Sequence, residues 1–142
     1  MITETYFRVK PIEIDSLGIV HHSYYPIWFE AGRNNFFKTA NIPHPKMNLQ
    51  GHFLPLLEMR CRYSGPARYG DELILKTGLV YLSCVKVKFE YKLINSKNGN
   101  VLVTGSTVHA WTDKKLQPIN VEKDAPDIFF RLKQLIEAPG TV

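Results

Sequence analysis

The chain has 142 residues, 44% of them hydrophobic and 22% charged, and carries a formal net charge of +5. That is the length of one domain, 1–142, with apolar content for a core of its own, and no run approaches the ~20 apolar residues a membrane helix needs. Two cysteines are too few for a disulfide framework. Basic residues are scattered from Arg8 to Lys133 rather than gathered in a run, which argues against nucleic acid and suits an anionic small molecule.

The opening stretch MITETYFRVK alternates polar and apolar residues and lacks the apolar core of a secretory leader, so a cytoplasmic location is expected. Thr5 to Ile14 reads as a first strand, with Tyr6, Phe7, Val9 and Ile12 as β-formers and Pro11 marking an edge or bulge. From Ser23 to Ala40 the period changes to that of a helix, with Ser23 as its N-cap and Pro26 tolerable in its first turn. Trp28, Phe29, Phe36 and Phe37 make it apolar over more than one stripe, as befits a helix wrapped by a sheet. Asn41 to Gly51 reads as a loop.

Four strand-like segments follow: Leu54 to Tyr63, Glu72 to Tyr81, Val85 to Asn95 and Val101 to Thr112. The third alternates most cleanly, with Val87, Phe89, Tyr91 and Leu93 against Lys86, Lys88, Glu90 and Lys92, so one face is buried and the other wet. Asn98-Gly99 signals a hairpin between the third and fourth. A last amphipathic helix runs from about Asp127 to Glu137. One long helix followed by a run of strands predicts an α+β architecture in which an antiparallel sheet curls around a single apolar helix.

Chemistry concentrates in Glu13 to Arg33, EIDSLGIVHHSYYPIWFEAGR. Asp15 precedes a glycine turn and a helix start, which brings a carboxylate and free backbone N–H groups toward one volume suited to attack on a carbonyl. A turn aspartate that caps its own backbone ahead of Gly18 is the plainer reading of the same residue. Gly18 itself supplies either a positive φ or room for close backbone approach. Glu30, in mid-helix, reads as a structural acid paired with Arg33 or a backbone group. His21 and His22, as neighbours on an extended segment, are expected to point to opposite sides, and no zinc-type spacing accompanies them. Tyr25 and Trp28 are candidates to line an acyl pocket or simply to fill the core. The Gly65-Pro66 turn reads as architectural.

The order of elements, together with D-S-L-G-I-V-H-H-S-Y-Y from Asp15, W-F-E-A-G-R from Trp28 and Y-S-G-P-A-R-Y-G-D from Tyr63 to Asp71, resembles the 4-hydroxybenzoyl-CoA thioesterase family of hotdog-fold proteins. The resemblance spans nearly the whole chain. It implies a hotdog fold with about five antiparallel strands around a long central helix, and hydrolysis of an acyl-CoA thioester to a carboxylic acid and free coenzyme A. Asp15 would be nucleophile or general base, and the backbone N–H of His22 would polarise the carbonyl, with the His22 side chain available to orient water or substrate. Gly18, Tyr25 and Trp28 would contact substrate, and Glu30 is the reserve acid, because a related hotdog lineage uses a helix carboxylate. Some members place basic residues against coenzyme A phosphates between the second and third late strands. Here that stretch is Leu82-Ser83-Cys84-Val85-Lys86, without an arginine cluster, and Lys86 and Lys88 are its cations, with Arg60, Arg62 and Arg68 nearby in sequence. The resemblance implies no metal and no cofactor, coenzyme A being part of the substrate, no nucleic-acid or membrane partner, and a homodimer or homotetramer. Two other readings share these residues: a non-catalytic acyl-CoA binding or sensing module, and an acyl-thioester hydratase or dehydratase.

Overall fold

The computed structural model describes residues 1–42 and 51–142, so most of the segment read as a loop from Asn41 to Gly51 lies outside the described residues. Strand β1 covers Ile2–Arg8 and gives way to a 3-10 turn at Pro11–Glu13. This corrects the expectation of one strand from Thr5 to Ile14. Proline fixes φ and lacks an N–H, so Pro11 starts the turn that swings the chain away from the sheet.

Helix α1, Tyr24–Thr39, buries Tyr25, Trp28, Phe29, Gly32, Phe36 and Phe37. It stops because Asn41 adopts φ +61° while the N–H groups of Asn41 and Ile42 return to the carbonyls of Lys38 and Phe37 at 3.1 and 2.7 Å. Those two bonds are a Schellman closure, with asparagine tolerating the left-handed position that glycine more often fills.

Strands β2 (Leu56–Tyr63), β3 (Glu72–Leu82), β4 (Lys86–Asn95) and β5 (Val101–Ala110) complete a five-stranded sheet in the order β1-β3-β4-β5-β2, antiparallel throughout. This is the hotdog arrangement the sequence led us to expect. Short helices α2 (Val121–Asp124) and α3 (Pro126–Lys133) follow; α3 is shorter than expected, and the chain beyond it turns back over the sheet. There the N–H of Glu137 bonds to the carbonyl of Leu79 at 2.8 Å, and the bare backbone of Gly78 lets Val142 sit where a Cβ would lie 2.7 Å from its methyl carbon.

The sheet has two unlike faces. Leu73, Leu75, Leu79, Val87, Phe89, Tyr91, Leu93 and Val103 join the helix side in one core. Gly32 brings α1 close to β3, since a Cβ there would stand 2.5 Å from Thr77 Oγ1, and Gly105 admits the Phe29 ring, which stacks on Tyr91 at 4.2 Å between centroids. A buried polar chain crosses this core: Arg33 Nη1 donates to Tyr91 Oη at 3.0 Å, Tyr91 Oη meets Thr107 Oγ1 at 2.7 Å, and Thr107 Oγ1 meets His109 Nε2 at 2.9 Å. Hydrogen bonding of this kind is what permits polar groups inside a core. Lys76, Lys88, Glu90 and Lys92 occupy the alternate positions and face away from α1.

Candidate active site

Asp15 lies in a tight loop closed by an antiparallel bridge between Ile14 and Val20. Its backbone N–H bonds to the Ile19 carbonyl at 2.8 Å, and its carbonyl accepts the Gly18 N–H at 3.1 Å. Oδ1 accepts the Leu17 N–H at 2.8 Å and, more loosely, the Ile19 N–H at 3.4 Å. The turn-capping role is therefore present, and it occupies one oxygen. Oδ2 has no hydrogen bond among the described residues. Gly18 has φ +78° and nothing within 4 Å of a would-be Cβ, so its part is the left-handed turn and not close approach.

The loop is stitched to the segment after β2. The Val20 N–H bonds to the Ala67 carbonyl at 2.9 Å, and Ile19 bridges Arg68. Tyr25 is buried, and its hydroxyl meets the backbone of the same Ala67. The stretch that follows the Gly65-Pro66 turn, itself expected to be architectural, thus adjoins the Asp15 loop through Ala67 and Arg68. Burial pushes the Tyr25 hydroxyl pKa up, the Ala67 bond opposes this, and the charges of Cys61 and Asp15 add to the rise. Beside it stands Tyr63, with ring centroids 5.4 Å apart. Tyr63 is 53% exposed, yet partial loss of hydration, followed by its neighbours Cys61 and Tyr25, pushes its pKa up to about 12. Burial likewise raises the Cys61 thiol.

At the head of α1 several backbone donors are used. The His21 N–H bonds to the Glu13 carbonyl at 2.9 Å, the Tyr24 N–H to the His21 carbonyl at 3.1 Å, and the Ser23 N–H to His21 Nδ1 at 3.2 Å. The His22 N–H has no hydrogen-bond partner among the described residues. Ser23 occupies the N-cap position but makes no side-chain cap; its Oγ sits 2.8 Å from His21 Nδ1. The two histidine rings do not diverge: they lie 4.2 Å apart, because the chain turns at His21 instead of running extended.

Glu13 is the residue that sequence reasoning passed over. Nearly buried, it accepts the Lys10 N–H on Oε1 at 2.7 Å and the Trp28 indole N–H on Oε2 at 3.2 Å, while its carbonyl holds His21. It fixes both legs of the Asp15 loop against α1. Trp28 therefore acts from the core, stacked on Phe7. The signal was an acid two residues before Asp15 in a stretch otherwise apolar or turn-forming.

Glu30 is exposed on α1 and does not pair with Arg33, whose guanidinium is committed to Tyr91. It borders a shallow hollow of about 300 Å³ with Arg33, Asn34, Phe37 and Leu54. Lys86 and Lys88 are not brought to Asp15, because the two-residue period of β4 turns them to the face opposite α1.

The chain belongs to the Thioesterase-like superfamily, whose family model matches residues 9–134. Among individual proteins it is 26% identical over 127 residues to a putative acyl-CoA thioesterase, YneP, of Bacillus subtilis, covering 89% of this chain and 91% of that one. It is 24% identical over 136 residues to the chloroplastic acyl-acyl carrier protein thioesterase ATL2 of Arabidopsis thaliana, covering 94% of this chain and 72% of that one. A solved structure, the hypothetical protein TT1821 from Thermus thermophilus, superposes with a TM-score of 0.87 at 30% identity over 96% of this chain and 99% of its own.

Proposed function

We propose that this chain, a thioester hydrolase by family, releases a carboxylic acid and coenzyme A from an acyl-CoA, with Asp15 as the reacting carboxylate. The observation that carries the reading is a division near the start of α1: Oδ1 of Asp15 is held by the loop, Oδ2 is left over, and the His22 N–H is an unoccupied donor among the described residues. A donor aimed at the charge developing on a carbonyl oxygen, helped by the helix dipole, typically contributes about 2.7–4 kcal/mol to the transition state. Oδ2 attacks the carbonyl carbon to expel the thiolate, leaving a mixed anhydride that water cleaves, or draws a proton from the attacking water. Either course consumes water and calls on no cofactor.

The site is completed by a second copy of the chain. Strand β2 ends the sheet with unpaired backbone, and Leu56, Leu57, Met59 and Tyr63 on it are each at least 39% exposed. A long apolar sheet edge of this kind is normally paired or covered. Pairing two β2 edges gives a homodimer in which Tyr63, and with it the Asp15 wall, meets the partner. No helix among the described residues is long and apolar enough to cross a membrane, and the reaction suits the cytoplasm.

The test is thiol release from short, medium, long and aromatic acyl-CoA esters by wild type and Asp15→Asn. An asparagine oxygen replaces Oδ1 in the loop while its amide nitrogen takes the place of Oδ2. The variant should keep its fold and lose about 10²–10⁴-fold in turnover, the usual span for a positioned acid or base. Full activity in Asp15→Asn overturns the assignment. Wild type that binds acyl-CoA without releasing thiol makes the chain a binding module, and a hydrated or dehydrated thioester by mass makes it a hydratase.

A further inference from the structure

A cleft of about 470 Å³ lies between the turn that follows β2 and the β4–β5 hairpin. The N–H groups of Ser64 and Gly65 join its two walls by bonding to the Leu102 carbonyl at 2.8 and 3.1 Å. Arg68 ties this cleft to the reactive loop. It forms the antiparallel bridge with Ile19, and the Ile19 carbonyl holds the Asp15 N–H at 2.8 Å. Two such spacings put the Arg68 backbone about 10 Å from that of Asp15. The Arg68 side chain is exposed and lines the cleft, and its guanidinium has no carboxylate within salt-bridge distance among the described residues. Asp71, the acid of the cleft, turns Oδ2 back onto the Arg68 backbone N–H at 2.9 Å. On the hairpin side, the amide oxygens of Asn95 and Asn98 accept the N–H groups of Lys97 and Asn100 at 3.0 and 2.9 Å, so what each amide retains is its NH2.

We propose that this cleft seats the diphosphate of the coenzyme A substrate and that Arg68 is the residue that binds it. The inference rests on the acyl-CoA reading and gives the phosphate end of that substrate a place on the chain. An uncommitted guanidinium beside neutral amide donors is a surface for phosphate oxygens, because the planar fork meets two of them at once. The span fits as well. Between the thioester sulfur and the diphosphate, the pantetheine arm is a chain as long as about four extended residues, or ~14 Å. That is the reach from Asp15, across Ile19, to the end of an arginine side chain at position 68. Lys86 and Lys88 have no such tie to the loop, since β4 pairs with β3 and β5 and turns both lysines to the face opposite α1. Arg68 thus acts on specificity: it recognises the part of the substrate that distinguishes a coenzyme A ester from a simple thioester, while the reacting groups stay at the Asp15 loop.

The experiment compares wild type, Arg68→Gln and Arg68→Lys on an acyl-CoA and on the matching acyl-pantetheine, which keeps the arm and lacks the phosphates. Binding of free coenzyme A is titrated calorimetrically alongside. Arg68→Gln should raise KM for the acyl-CoA about 10-fold, the worth of one charged hydrogen bond, with kcat kept. Arg68→Lys should recover part of that loss, and the difference between wild type and Arg68→Gln should disappear on acyl-pantetheine. Coenzyme A should bind Arg68→Gln more weakly by the same factor, and added salt should narrow the gap. An equal loss on acyl-pantetheine overturns the proposal, because it makes Arg68 a support of the Asp15 loop. So does an unchanged KM for acyl-CoA in Arg68→Gln; a rise in Lys86→Gln/Lys88→Gln in its stead would return the phosphates to β4. Should wild type hydrolyse neither substrate, the thioesterase reading fails by itself, and the coenzyme A titration still decides the cleft: tighter binding by wild type than by Arg68→Gln upholds it, and equal binding or none overturns it.

Discussion

Trp28→Phe tests whether Glu13 holds the reactive loop. The substitution keeps an aromatic ring against Phe7 and removes the indole N–H that reaches Glu13 Oε2 at 3.2 Å, leaving Oε2 without a partner in a nearly buried side chain. A hydrogen bond to a carboxylate contributes about 1.5–3 kcal/mol. The smaller ring also gives up part of an aromatic contact of about 0.5–1.5 kcal/mol. The sum is about 2–4 kcal/mol, or about 5–15 °C in melting temperature for a chain of this size. Glu13→Gln should cost a similar amount for a different reason: its one amide oxygen can answer Lys10 or Trp28, and its NH2 then opposes the other N–H. In the double variant that opposition disappears, because no indole remains. Denaturant unfolding of the four proteins should therefore show the double variant less destabilised than the sum of the singles by at least about 1 kcal/mol. Additivity within about 0.5 kcal/mol would refute the claim that the two side chains act as one unit.

Gly18→Ala should destabilise by about 1–2 kcal/mol, the cost of a left-handed residue, and Gly18→Asn by clearly less, since no neighbour crowds the position; equal urea midpoints for the two variants would remove the conformational explanation. In α1, Gly32→Ala gains about 1 kcal/mol of helix propensity but drives a methyl to 2.5 Å from Thr77 Oγ1 and 2.8 Å from Leu75 Cδ2, so a net loss is expected from overpacking of about 1–3 kcal/mol. Thr77 Oγ1 is buried without a hydrogen bond, so adding Thr77→Ala should restore much of that loss, and failure of the rescue in thermal melts would show that the clash lies elsewhere. Tyr63, with its pKa pushed up to about 12, stays protonated in the folded chain after an unfolded tyrosine has begun to ionise near pH 10. Its contribution to stability is complete below pH 10 and disappears as pH rises toward 12. Tyr63→Phe should flatten that part of the alkaline stability profile, and an unchanged slope would count against the shift.

The fold was legible because its main signals are local. The alternation of β4 and the more-than-one-stripe apolarity of α1 each state a face, and together they leave one way to pack. The end of β1 was misjudged because Tyr6, Phe7, Val9 and Ile12 look alike as β-formers, while Pro11 decides the backbone and a 3-10 turn satisfies it. Asp15 and the helix start stood out because loop and helix adjoin in sequence. Glu13 did not, because its partners Lys10, Trp28 and His21 become neighbours only when the turn folds. The contact that the second motif makes with the Asp15 loop is not legible for the same reason: Ala67 contributes through its backbone, and an alanine has no side chain to announce that. The resemblance gives Lys86 and Lys88 to the substrate, and the period-2 pattern that identifies β4 places them on the face away from α1.

The turn cap that Asp15 forms is compatible with its proposed role as reactive carboxylate. Loop residues with a reactive side chain must be held without being silenced, and a carboxylate can do so because its two oxygens are separable. The Leu17 and Ile19 N–H groups anchor Oδ1 and restrict the torsion of the side chain, so in the proposed mechanism Oδ2 would meet substrate at little further ordering cost. The His22 N–H is kept available in a comparable way. The Glu13 carbonyl and the His21 ring take the N–H groups of His21 and Ser23, and the His22 N–H between them stays unpaired among the described residues, as the proposed role in polarising a carbonyl requires.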